Sequence, residues 1–257
     1  MNTRFIICTI LLGLIISCDQ RKPSQQAAIP EIIMNNVLVS YNDCLPDSIN
    51  CTYVHILYPE FSDSTKAGIN EIISNKIKTI ASDYFREDVI HDTFEYIAQS
   101  FIEDYNTFKT DFPDYQFGWY VVLASEITFE SDQLFSFRID SESFTGGAHP
   151  NSSTGFFVIE KRSGKELSTT DIISDTSQFK EMLEEEFRKE KGMNQEQSFA
   201  DRGFYINDGD FLLNDNIGLT DTSVLVHFNP YEIAPYSEGA TTLEISKKSI
   251  GKILKVE

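Results

Sequence analysis

Phe117-Gly118-Trp119-Tyr120-Val121-Val122-Leu123, running on to Phe129, and Leu134-Phe135-Ser136-Phe137-Arg138-Ile139, running on to Phe144, decide the fold. The first run is dense in aromatic and β-branched residues and the second alternates in part between apolar and polar. Ser131-Asp132-Gln133 lies between them as a short polar link. Two such runs joined this closely predict an antiparallel hairpin. Gly146-Gly147 then breaks the pattern.

Upstream, 37–41 and 52–58 read as strands, the second ended by Pro59. Ile69, Ile72, Ile73, Ile77, Ile80 and Tyr84 recur at helical spacing. So do Phe94, Ile97, Ala98, Phe101, Ile102, Tyr105 and Phe108, with Asp92 placed to cap that helix and Glu95 to complete a capping box. Both stripes are core faces. Downstream, Gly155-Phe156-Phe157-Val158-Ile159-Glu160 is a strand and Lys161-Arg162-Ser163-Gly164-Lys165 a turn. A third helix over 176–191 has Asp175 as cap, Phe179, Met182, Leu183 and Phe187 on one face, and Gly192 as its stop. Segments 211–213, 223–228 and 241–245 read as strands. The order predicts an α+β protein of two tightly packed modules, mainly antiparallel sheets with helices packed on one face. The boundary falls near Pro150, giving modules 31–150 and 151–257.

The 257 residues are 41% hydrophobic and 12% aromatic, a globular rather than disordered composition. The formal net charge is -19. That balance argues against nucleic acid, whose phosphates need Lys and Arg, and against adhesion to anionic lipid by charge alone. It suits a cationic partner drawn in by long-range steering, or serves solubility.

At the N-terminus Arg4 precedes the apolar stretch 5–16, too short for a mature membrane-spanning helix. It reads as a signal peptide over 1–17. Leu14-Ile15-Ile16-Ser17-Cys18 matches a bacterial lipobox, with cleavage before Cys18 and lipid on its thiol. The other reading is an ordinary signal with an incidental cysteine. Removing Arg4 makes the mature chain one unit more acidic. Residues 18–30 become the lipidated cysteine and a flexible polar tether. The rest is expected in the cell envelope, lipid-anchored, facing the periplasm or the cell exterior. Cys44 and Cys51 flank turn chemistry at Leu45-Pro46-Asp47-Ser48, which in an exported protein favours a disulfide over a metal site.

Two segments are candidates for chemistry. In Phe144-Thr145-Gly146-Gly147-Ala148-His149-Pro150-Asn151, Gly146 and Gly147 permit positive φ and close backbone approach, and His149 can be a base, a ligand or a contact. The plainer reading is a tight strand-end turn. In the segment from Phe228 to Gly239, Tyr231, Glu232 and Tyr236 stand among Pro230 and Pro235, as a rigid, strand-like recognition edge or as a bulged core strand. Asp208, Asp210, Asn214, Asp215 and Asn216 are acidic enough for Ca²⁺ but lack an EF-hand's closing Glu, so a solvated turn is favoured. There is no Gly-x-Ser-x-Gly, His-Glu-x-x-His or P-loop motif. No catalytic residue, cofactor or metal is assigned.

Gly146-Gly147-Ala148-His149-Pro150-Asn151, then a strand, then Gly164-Lys165-Glu166-Leu167 and Asp171-Ile172-Ile173, resembles the DUF4163/DUF3298 architecture. Tyr231-Glu232-Ile233-Ala234-Pro235-Tyr236-Ser237-Glu238-Gly239 resembles the second hallmark of the DUF3298 module. The resemblance covers nearly all the chain after the tether. It implies an α+β fold of two modules like the lysozyme-binding ectodomain of an anti-sigma factor. A module like the first also precedes the catalytic domain of a peptidoglycan deacetylase. That catalytic domain and the anti-sigma factor's transmembrane helix have no counterpart here, so neither deacetylation nor transmembrane signalling is carried over. No family catalytic residue maps onto His149 or Tyr231. The expectation is a non-catalytic, lipid-anchored envelope binding protein, its partner a cationic protein of the lysozyme type or cell-wall glycan. The alternative is a wall-modifying hydrolase using His149 with nearby carboxylates.

Overall fold

Strands β1 (Ile32–Ser40), β2 (Tyr53–Phe61), β3 (Tyr120–Glu130), β4 (Leu134–Phe144) and β5 (Asn151–Glu160) lie side by side in that order. The computed structural model describes residues 32–46, 48–86, 88–89 and 92–256. The expected signal peptide, Cys18 and the expected tether fall outside them. Every neighbouring pair in the sheet is antiparallel except β2 and β3. That parallel pair needs a long crossover, supplied by α1 (Ala67–Ala81) and α2 (Phe94–Asp111). The expected hairpin is β3–β4, and the strand after Pro150 pairs with β4 to complete the same sheet.

Alternation along the strands sends Val54, Ile56, Val121, Leu123, Phe135, Phe137 and Ile139 to one face, where they meet Ile73, Ile77, Ile97 and Phe101 of the helices. On the opposite face the described residues cover the β3–β5 side. There β6 (Ile217–Leu219), β7 (Ser223–Phe228) and β8 (Thr241–Ser246) form an antiparallel sheet, with α4 (Thr176–Glu190) packed against it. Leu134 and Val158 join Phe179, Leu183, Phe187, Val226 and Leu243 in this second core. The short helix α3 (Thr169–Ile172) starts with a capping box of Ser168 and Asp171. A Cβ on Gly218 would come within 2.4 Å of the Phe156 ring, so the two sheets meet where one of them has no side chain. No helix among the described residues is long and apolar enough to cross a membrane.

Several local expectations are corrected. Pro59 does not end its strand, because β2 has already left β3 at Leu57 and continues against β1 alone. Thr93 rather than Asp92 caps α2, accepting from the Tyr96 N–H. Asp175 caps the 176–190 helix, accepting from the Gln178 N–H, and Gly192 stops it at φ 62°. Segment 211–213 is no strand: Phe211 is buried by ring contacts with Phe187, Phe199 and Phe228 while the backbone stays irregular. The three-residue strand β6 is the one that was missed. Residues 229–239 are turns rather than a rigid strand-like edge, with Tyr231 at φ 72°.

Candidate functional site

The strands end unevenly at the edge of the sheet where β1 finishes and β2, β3 and β5 begin. Tyr53 pairs with Tyr120, and Tyr120 with Phe144, so three neighbouring strands place aromatic rings in one row. Tyr53 and Tyr120 stack at 5.4 Å with planes 11° apart, and Tyr120 and Phe144 at 6.2 Å and 29°. The row lies in a cleft of about 470 Å³ lined also by Pro46, Ser48, Ile49, Cys51, Phe117, Gly118 and residues 147–150.

One wall is the loop closed by the Cys44–Cys51 disulfide, Cα–Cα 5.5 Å. Asn42 and Asp43 take left-handed backbone at φ 53° just before it. The Gly118 N–H donates to the Ile49 carbonyl and the Trp119 N–H to Thr52 Oγ1, which seats the loop on the start of β3. Gly118 has to be glycine, because a Cβ there would lie 2.0 Å from the Cys51 carbonyl oxygen. Ile49 and Phe117 are 75% and 48% exposed at the rim, large apolar surfaces left open to solvent.

The opposite wall holds the glycine-histidine segment. Gly146 and Gly147 sit at φ 105° and 115°, turning the chain so that His149 comes back over the cleft. The His149 ring stacks on Tyr236 at 4.0 Å, and Tyr236 packs against Tyr231 at 5.6 Å. His149 Nδ1 lies 2.8 Å from the Pro150 carbonyl, so Nδ1 carries the proton; the Tyr236 hydroxyl donates to the same oxygen. No carboxylate is bonded to His149 among the described residues. Glu232 faces elsewhere: it accepts from the Asn229 N–H at 3.1 Å and closes its own turn. Thus the structure brings His149, Tyr231 and Tyr236 together beside Gly146 and Gly147 and leaves Glu232 out.

The Tyr120 hydroxyl donates to Glu142 at 2.6 Å. Burial, then that hydrogen bond and charge, push its pKa up, so it stays protonated as a donor. The cleft is therefore mainly apolar and aromatic, with the Tyr120 hydroxyl and His149 Nδ1 engaged by hydrogen bonds. Tyr53, Tyr120 and Phe144 form an offset-stacked row across the three strands. Such a surface makes contacts; it does not present a nucleophile held by a base.

The acidic cluster is structural. Asp215 accepts from the Thr169 N–H and Asp208 from the Phe199 N–H, and Asp210 pairs with Lys180. Asn216 reaches across to β5, accepting from the Phe156 N–H and donating to the Thr154 carbonyl. Among the described residues no group of three or more His, Cys, Asp or Glu is arranged to hold a metal.

His227, which the sequence did not single out, is buried on β7 between Thr242 at Nδ1 and Asn229 at Nε2. Burial pulls its pKa below the ordinary histidine value. The unfolded chain then takes up that proton first as pH falls. His227 contributes stability that is full above about pH 6.5 and is lost as pH falls through its lower folded value. Denaturant midpoints measured against pH should decline over that window, and His227→Gln should flatten the decline. A His227→Gln profile as steep as wild type would remove His227 as the cause.

Two family profiles match the chain: "Deacetylase PdaC" over residues 47–152 and "Protein of unknown function (DUF3298)" over residues 170–248. A search of the curated proteins finds no match. Among solved structures, a DUF3298-family member from Bacteroides fragilis superposes with a TM-score of 0.63 at 18% identity, over 88% of this chain and 95% of the other. A DUF3298-family protein from Pseudomonas aeruginosa gives 0.62 at 19% identity, over 88% and 94%. At those identities the structures speak for the fold. The two profiles fall on the two sides of the molecule just described: the chain carries a PdaC-like segment followed by a DUF3298 segment.

Proposed function

We propose that this protein is a lipid-anchored binding protein of the cell envelope that captures a cationic partner protein of the lysozyme type and works without catalysis. The observation that carries the reading is the aromatic cleft. It is open, apolar and rimmed by exposed Ile49 and Phe117, and its one histidine is held by a backbone carbonyl and a tyrosine ring. Buried aromatic anchors of this kind dominate protein interfaces. The net charge of -19 supplies attraction for a basic protein. The hydrolase alternative requires a carboxylate bonded to His149, and no observation favours it.

Anchoring through Cys18 would attach the chain ahead of β1. β1 starts at Ile32, paired with Phe61, at the end of the sheet opposite Tyr53 and Tyr120. A strand of this length spans roughly 30 Å, so an anchor ahead of β1 joins the head at the end of the sheet away from the cleft.

Calorimetry with a lysozyme-type muramidase at moderate salt tests the reading. Binding at micromolar or tighter affinity, weakening as salt rises, is expected. No binding at micromolar protein rules out this partner.

A further inference from the structure

The five-stranded sheet has two edges, and they are treated differently. The β5 edge is sealed. Asn229 accepts from the Thr154 N–H, Asn216 accepts from the Phe156 N–H, both amides donate to the Thr154 carbonyl, and Ile159 bridges to Glu166. The β1 edge has no such cover among the described residues: β1 pairs with β2 on one side and nothing pairs with it on the other. Its sequence, Ile32-Ile33-Met34-Asn35-Asn36-Val37-Leu38-Val39-Ser40, contains no charge, proline or glycine, the residues that normally keep a sheet edge from pairing. Ile32, Ile33, Met34 and Leu38 are 42%, 47%, 52% and 47% exposed.

We infer that β1 is a self-association edge: two copies of this chain pair their β1 strands antiparallel about a two-fold axis and continue the sheet from five strands to ten. The choice of a second copy rests on the strand's self-complementarity. An axis through the sheet at Asn36, the middle residue of the strand, keeps the helices of both copies on one face. It then sets Leu38 opposite Met34 and Val39 opposite Ile33, apolar against apolar, with Asn36 opposite itself, Val37 opposite Asn35 and Ser40 opposite Ile32. A contact of this kind is isologous, each pair occurring twice about the axis. The edge carries no charge, whereas each copy as a whole is at -19. Salt screens that repulsion, so association strengthens with salt, opposite to capture of a cationic protein.

The test uses residues 19–257, which retain every described element. Light scattering or sedimentation at tens of micromolar should find a dimer. Leu38→Lys should weaken association by about tenfold or more with its thermal unfolding little changed. Asn36→Cys should give disulfide-linked dimers on mild oxidation, as directly opposed Cα atoms lie within disulfide reach; Tyr205→Cys, exposed on the second module, should not. A monomer at every concentration overturns the inference, including one whose β1 amides exchange slowly because the chain's own N-terminal segment covers them. A dimer indifferent to Leu38→Lys and not cross-linked through Asn36→Cys also overturns it.

Discussion

Gly118→Ala is expected to destabilise the protein by about 3 kcal/mol, an effect at the top of the range for overpacking by one methyl. The new Cβ would meet the Cys51 carbonyl oxygen at 2.0 Å and its carbon at 2.3 Å, both backbone atoms. They cannot swing aside as a side chain can. The loop is fixed on both sides, by the disulfide and by the Gly118 N–H bonded to Ile49. Relief requires the loop to lift from β3, which carries Ile49 and Cys51 away from the cleft. Urea unfolding measures the stability loss. Gly68→Ala is the control: a Cβ there meets nothing within 4 Å on an α1 surface, and alanine should stabilise by about 0.5 kcal/mol. A Gly118→Ala variant as stable as wild type would mean that the loop does not sit where it is described.

The second large effect is expected at Asn216. Its side chain serves as a piece of β-ladder, accepting from Phe156 N–H at 2.7 Å and donating to the Thr154 carbonyl at 2.8 Å. Asn216→Ala removes both bonds and strands the Phe156 amide beside the second core. Leaving a buried donor unpaired costs more than the mean value of a hydrogen bond, so a loss of about 2–3 kcal/mol is expected. Asn216→Asp keeps the acceptor and loses the donor, and should fall between. Unfolding followed separately by Trp119 fluorescence and by circular dichroism shows whether the modules also come apart. A loss below about 0.5 kcal/mol, the scale of an ordinary surface change, would reduce Asn216 to a surface residue.

The long elements were legible because their physics is local. Residues 120–144 show strand periodicity around a polar link, and Ile69 to Tyr84 show a helical stripe whose helix ends at Ala81. Asp175 was readable as a cap because an N-cap needs only a side-chain oxygen and a nearby N–H. Ile217–Leu219 is too short for any period to appear. Phe211 looked like a strand because apolar content alone cannot tell a ladder from a loop pinned by ring packing. The same division holds at the site. His149, Tyr231 and Tyr236 stood out by residue type, and chain folding brings them together across more than 80 positions. Tyr53, Tyr120 and Phe144 did not, since they form a row only through one parallel and one antiparallel register. Nothing local to any of the three strands encodes that pairing. The paired cysteines Cys44 and Cys51 and the glycine-histidine segment were the sequence signals pointing to this end of the sheet.

The central claim is that the aromatic cleft is the capture surface. Calorimetric titration of a lysozyme-type muramidase into wild type, the Ile49→Ser/Phe117→Ser double variant and Tyr96→Ser tests it most directly. Tyr96 is 56% exposed at the start of α2, outside the cleft, and serves as the control. Wild type and Tyr96→Ser should bind equally, and the double variant should lose about tenfold or more in affinity, the scale of interface anchors. A double variant that binds as tightly as wild type, or a wild type that does not bind, would contradict the claim.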